Sequence, residues 1–301
     1  MAMVPPQTFE QIAAQYDPAI AQGVNQVITN AVSGNADTVT AALTVYVICM
    51  GGMMCFREMT WNNFVKHALR AGMISALMVY ATFNTLIAQP AMETIPVWIA
   101  QTVNAQNSAL SAPQQFDLLW SATEHVEAGI LQQATGLDNI GYWMSAHVYA
   151  TVAGSLLTLV FLMWEFSRSV MGLLVAVLPF VLFLYLFEAT RGIPMRVFNK
   201  MIGVLILQLL LAITIQLFLQ GNAHILLVAA NAGDGDLAAQ DAQLQDVILF
   251  FLFGAGLVLL VPSIAAYIGG GIAVNAGSTI VQNVTMLATS AGRSISRGLR
   301  R

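Results

Sequence analysis

Charge is what this sequence has least of. Only 9% of its 301 residues are Asp, Glu, Lys or Arg, while 57% are hydrophobic and the mean hydropathy is +0.72. A soluble domain is about 25% charged, and so thin a charged coat cannot cover a soluble protein of this size. A soluble enzyme, a disordered tail and a basic nucleic-acid binder are thereby excluded. Cysteine is also scarce. Cys49 and Cys55 stand six residues apart in one apolar run, about 600° around a helix and so on different faces. No CxxC or Cys/His metal spacing accompanies them, and they read as small packing residues. The four histidines, His67, His125, His147 and His224, are scattered among separate segments. No HExxH, GxSxG or GxxxxGK[ST] pattern occurs. Residues 1–37 hold no Lys or Arg, so the positively charged start of a secretory leader is not visible there.

What is present is a series of long uncharged apolar runs. Six stand out, at 38–56, 71–88, 148–164, 169–187, 201–221 and 247–271. A bilayer crossing needs about 20 apolar residues, and each must satisfy its own backbone as a helix. The expected fold class is therefore all-α, a polytopic transmembrane helix bundle. Lys and Arg orient it. The segments 57–70, 188–200 and 291–301 hold ten of the eleven basic residues, whereas 1–37, 89–145 and 220–246 hold none, with twelve of the fifteen acids. The first set is expected inside the cytoplasm, the second outside. An outside N-terminus and a cytoplasmic C-terminus, with Arg293, Arg297, Arg300 and Arg301, require an odd number of crossings. Six runs conflict with that parity, and the conflict lies in 146–187. Five net crossings follow if this stretch is one crossing plus a re-entrant piece, or one long bent helix with Pro179 as its kink. Two crossings joined at 165–168 are the alternative. Trp61, Trp98, Trp143 and Tyr142 sit just outside apolar runs, as headgroup-zone aromatics do.

The expected organisation has five parts. Residues 1–37 form a periplasmic amphipathic helix, with Ile12, Tyr16, Ile20, Val24 and Ile28 at i+4 spacing. Residues 38–88 form a first transmembrane pair with the basic cytoplasmic loop 57–70. Residues 89–145 form a periplasmic helical layer, with Val126, Ile130 and Leu131 on one face. Residues 146–271 form a second bundle with cytoplasmic loop 188–200 and periplasmic loop 220–246. A cytoplasmic tail, 272–301, ends the chain; Ile280, Val284 and Leu287 share a face, and the arginines after them can signal topology or meet anionic lipid.

Few residues suggest chemistry. Glu165 and Arg168 approach the apolar runs three positions apart, close enough to pair on a helix. Glu188 is the third ionisable residue that approaches these runs. Asp234, Asp236, Asp241 and Asp246 read as a solvated acidic turn, since the calcium-loop spacing and its closing Glu are missing. The runs 38–56, 71–88 and 247–271 carry no ionisable side chain, which argues against an ion-coupled transporter. Gly51-Gly52, Gly254 with Gly256, and Gly269-Gly270-Gly271 let helices approach closely, within one subunit or between subunits. Pro262 bends the last run and frees a carbonyl. No cofactor or metal site is expected. A small-molecule permease is the alternative function; it would need a polar midplane site and inverted repeats, and no internal repeat is visible.

Two stretches resemble a known family. Residues 174–191, reading LVAVLPFVLFLYLFEATR, are followed by Pro194 and Phe198. The pattern contains Pro179-Phe180 and then Phe187-x-x-Thr190-Arg191. Phe198 stands where an aromatic, often Trp, is usual. The small-residue end of the last run, around Pro262, Gly269 and Gly270, is also similar. These features, with the five-crossing layout, resemble the TrbL/VirB-type polytopic inner-membrane subunit of bacterial type IV secretion (conjugation) systems. The resemblance implies a non-enzymatic platform or channel subunit that supports DNA or effector translocation and pilus assembly. Implied partners are further copies of itself, pilin and minor pilin, the bitopic inner-membrane assembly subunit, the secretion ATPases and the lipid bilayer, with transported DNA touched only transiently if at all. Their contact residues are not fixed by the pattern.

Overall fold

The computed structural model describes residues 8–56, 60–103, 110–134, 139–231 and 237–269. Every regular element among them is helical. α1 spans Thr8–Cys55, α2 Trp61–Leu77, α3 Tyr80–Phe83, α4 Ile95–Val103, α5 Ala112–Gln133, α6 Ile140–Leu182, α7 Gly192–Asn231 and α8 Leu237–Ile268. Four of them contain stretches long and apolar enough to cross a membrane: Asp37–Cys55, Ile140–Leu186, Gly192–Phe218 and Leu244–Ile268. A fifth is reached if α2 and the helical stretch Ala81–Val103 are counted together, although they meet at 91°. Arg57, Asp138, Asp234, Asp236, Gly270 and the tail 271–301 lie outside the described residues, as does the side chain of His224.

Several expected boundaries differ. The amphipathic segment before residue 38 and the apolar run after it are one continuous helix, α1. A change from polar to apolar side chains alters what a helix faces and gives its backbone no reason to stop. The basic stretch 61–70, expected as a loop, is the first half of α2. The run 71–88 is broken near Met78, where the α2 backbone ends and a new helical path begins at Tyr80. Beyond it, Asn84–Ala88 and Pro90–Thr94 are π-helical turns. Pro90 has no N–H to donate and its ring crowds the carbonyl four residues back; a wider turn accommodates both. The stretch 146–187 takes the long-helix form: α6 runs through Pro179 to Leu182 and closes in a 3₁₀ turn, Phe183–Leu186. A straight helix of 42 residues would be about 63 Å long, twice the hydrocarbon thickness.

The chain divides into two compact units. The first comprises Met1–Ala13, Ile99–Phe166 and Ile206–Arg301. Its α5 begins with a capping box, in which Gln114 Oε1 accepts the Ser111 N–H at 2.9 Å and Ser111 Oγ accepts the Gln114 N–H at 3.5 Å. Phe9, Phe116 and Phe161 pack with centroids 4.8–5.8 Å apart. Further along, Tyr149 of α6 meets Phe251 of α8, which stacks on Phe218 of α7. Helices in lipid gain little from burying one apolar surface against another, so close packing must hold them. Gly254 supplies such a fit: a Cβ there would lie 2.1 Å from the Phe218 ring. At Gly221 it would lie 2.5 Å from Phe250, and at Gly154 2.7 Å from Trp120.

The second unit comprises Ala14–Trp98 and Ser167–Leu205. Its core joins Tyr46 of α1, Ala71 and Ile74 of α2, and Leu186 from the turn after α6. Leu43, Met50, Met78 and Tyr185 pack around them. Gly172 of α6 lies close to Val24 and Ile20 of α1 and to Met92. By contrast, Gly51, Gly52 and Gly256 face open space.

Candidate functional site

The motif residues 187–191 form a hydrogen-bonded turn between α6 and α7. The N–H groups of Thr190 and Arg191 both donate to the Phe187 carbonyl, at 3.1 and 3.0 Å, and the Ile193 N–H donates to the Thr190 carbonyl at 2.9 Å. Thr190 Oγ1 reaches back to the Leu184 carbonyl at 2.8 Å. That carbonyl already takes the Phe187 N–H at 3.3 Å, so the threonine hydroxyl is a second donor that ties the turn back to the end of the helix. Arg191 is exposed, and Pro194 is buried in the first turn of α7, where a missing N–H costs nothing.

This turn is docked on α1 and α2. The Phe187 ring meets Tyr46 edge-on, with centroids 5.9 Å apart and planes at 90°. The Tyr46 hydroxyl is 2.6 Å from His67 Nδ1 on α2. Tyr46 is thus buried by its ring and satisfied at its polar end, as a phenol at an apolar–polar boundary requires. Arg70 and Glu188 contribute charges of opposite sign around it. Three segments distant in sequence therefore converge where the turn leaves the apolar run.

The other motif positions do not gather here. Pro179 is buried in the last turn of α6, with Phe180 exposed beside it. Phe198 is half-buried on α7. Pro262 is buried on α8, and the Gly269 N–H donates to the Ala265 carbonyl at 2.9 Å as that helix ends. Arg168 forms an ion pair with Asp17 of α1, both groups being less than a third exposed. Asp17 was not marked by the sequence reasoning; the signal for it is that Arg168 is the one basic residue outside the three basic segments, and such a cation needs an acidic partner. Glu165 is half-buried three residues before Arg168 on α6.

Four polar contacts bind the first unit. Asp117 of α5 accepts the Phe9 and Glu10 N–H groups at the start of α1, and Gln114 Nε2 donates to Glu10 Oε1 at 2.9 Å. His147 of α6 lies 2.9 Å from the Glu127 carboxylate of α5, with the Trp143 ring against its imidazole. Among the described residues, no three His, Cys, Asp or Glu side chains gather as a metal site would need.

These features define a polytopic membrane helix bundle with a docked turn between two long apolar helices. Comparison with known proteins places the class more closely. Residues 43–292 match the family described as TrbL/VirB6 plasmid conjugal transfer protein. Protein VirB6 of Agrobacterium tumefaciens (strain 15955) is 23% identical over 268 residues, covering 88% of this chain and 90% of its own length. Protein VirB6 of Agrobacterium fabrum (strain C58 / ATCC 33970) aligns with the same identity and coverage. The chain belongs to the TrbL/VirB6 family. It is a membrane subunit of a type IV secretion system, seated in the inner membrane and structural in kind.

Proposed function

We propose that this subunit crosses the inner membrane five times, with its N-terminus in the periplasm and its C-terminus in the cytoplasm. It acts there as a non-enzymatic platform or channel element, supporting translocation of DNA or effectors and pilus assembly. The observation that carries the reading is the segregation of charge: ten of eleven basic residues fall in 57–70, 188–200 and 291–301. Cytoplasmic loops carry such an excess of Lys and Arg. The 187–191 turn, with exposed Arg191, then faces the cytoplasm and offers Phe180, Phe187, Thr190, Arg191 and Phe198 as assembly positions beside Pro179. The small-residue end of α8, with Pro262, Gly269 and Gly270, is a second one. Glu165 and Arg168 are a candidate polar pair for the middle of α6. Partners in this reading are further copies of the chain, pilin and minor pilin, the bitopic assembly subunit and the secretion ATPases.

The test is deletion of the gene in its native host, with plasmid transfer and surface pili measured together. Loss of both, restored by the wild-type gene, supports the reading. Unimpaired transfer and piliation in the deletion strain contradict it.

A further inference from the structure

We propose that α2 is an interfacial helix that seats in the headgroup layer and binds anionic phospholipid. The inference rests on the chain's being a membrane protein and is independent of what the secretion system moves.

Its first ten residues include Asn62, Asn63, Lys66, His67 and Arg70, a polar load that hydrocarbon would not accept. The helix is nevertheless apolar along a second face. Trp61, Val65, Leu69 and Met73 recur every fourth residue and are 65%, 37%, 64% and 60% exposed. Recurrence at this spacing makes one continuous stripe. The face that packs on protein is a different one: Ala71 and Ile74 are buried in the Tyr46 core, and His67 holds the Tyr46 hydroxyl. At 100° per residue, Lys66 and Arg70 fall between the two faces. Lys66 is exposed and Arg70 half-buried.

The direction of the helix agrees. The stretch that follows it is turned by 91°. In this reading Ala81–Val103 carries the second of the five crossings by itself, and α2 lies along the surface, about 25 Å of it. Trp61 stacks on Phe64 with centroids 5.6 Å apart, a pair of rings at the helix start suited to the headgroup–acyl boundary. An apolar stripe flanked by cations is the pattern of helices that lie in the interface and select anionic lipid. Charge complementarity decides the occupant. The segment 57–70 has three basic residues and one acid, and phosphodiester headgroups without a balancing choline are what such a strip attracts.

The experiment uses the full chain in nanodiscs of phosphatidylcholine, alone or with three parts in ten phosphatidylglycerol. A nitroxide at Leu69, placed by Leu69→Cys in a Cys49→Ala, Cys55→Ala background, reports depth through collisions with oxygen and with a water-soluble nickel chelate. Retained phosphatidylglycerol is counted by native mass spectrometry for wild type and Lys66→Gln. The proposal expects oxygen collisions to dominate at Leu69, and retention to fall about fivefold in Lys66→Gln. Nickel-dominated collisions would overturn it, placing Leu69 in water. Shielding from both reagents would also overturn it, by showing a protein partner on the stripe. Equal retention in wild type and variant would overturn the anionic preference. The nitroxide reading needs no charge substitution, so a misfolded Lys66→Gln leaves the depth test intact. Plasmid transfer is not a readout, so failure here is distinct from failure of the secretion role.

Discussion

Asp117 accepts the Phe9 N–H on one carboxylate oxygen at 2.9 Å and the Glu10 N–H on the other at the same distance, across 108 and 107 positions of sequence. It is a helix N-cap supplied by another helix. The first N–H groups of α1 have no intrahelical acceptor, and a carboxylate there also meets the positive end of the helix dipole. Asp117 is 4% exposed, so water cannot replace it. Asp117→Ala is expected to lower stability by about 1–3 kcal/mol. Asp117→Asn, which keeps one acceptor oxygen, is expected to lose less. Thermal unfolding of the detergent-solubilised protein reads both; an unchanged Asp117→Ala midpoint would refute the capping role.

The Arg168–Asp17 pair holds α6 to α1 within the second unit. Both groups are only partly exposed, so removing either one leaves the other without its ion-pair partner. Arg168→Ala and Asp17→Ala should each destabilise the fold, and the double variant should be less harmed than their sum. A double-mutant cycle is expected to give a coupling of about 1–3 kcal/mol. Additive single effects would show that the pair contributes nothing.

At Gly254 the expected outcome is steric. A new Cβ would lie 2.1 Å from the Phe218 ring, so Gly254→Ala should cost about 1–3 kcal/mol through displaced packing. Phe218→Leu in the same chain should recover part of that loss. Gly256→Ala, two residues on, points into open space and should be neutral within about 0.5 kcal/mol. Unfolding in a graded detergent mixture compares the three.

Tyr46→Phe removes the hydroxyl that meets His67 and leaves the Phe187 edge contact in place. A loss of about 0.5–1.5 kcal/mol is expected. Tyr46→Ala removes the ring as well and should expose the 187–191 turn to protease in inverted vesicles at lower enzyme concentration. Equal protease sensitivity in Tyr46→Ala and wild type would mean that the turn does not depend on this docking.

Much of the architecture is legible in the residues because bilayer physics leaves few options. An uncharged run of sufficient length has to be helical, and 38–55, 201–221 and 247–268 each fall in one of the helices with a membrane-spanning stretch. Local continuity is harder to read. Nothing at Asn35 or Asp37 tells the backbone to stop, so α1 passes through the change in polarity. Conversely Met78 and Val79 look like any other apolar pair, yet the helix ends there; the reason is not written in local propensity. The candidate site divides the same way. Phe187, Thr190 and Arg191 stand out as a motif, and Thr190 explains itself through the turn. Tyr46 and His67, which receive that turn, are ordinary residues of other segments, and only folding brings them to Phe187. Asp17 and Asp117 were missed for the same cause, since their partners lie 151 and 108 positions away.

Orientation is tested most directly at Asn199, an exposed residue of α7 between Arg196 and Lys200. Asn199→Cys is made in a Cys49→Ala, Cys55→Ala background and treated with a membrane-impermeant maleimide. Labelling is expected in inverted inner-membrane vesicles and absent in intact spheroplasts. Labelling in spheroplasts would put the basic segment in the periplasm and contradict the five-crossing account.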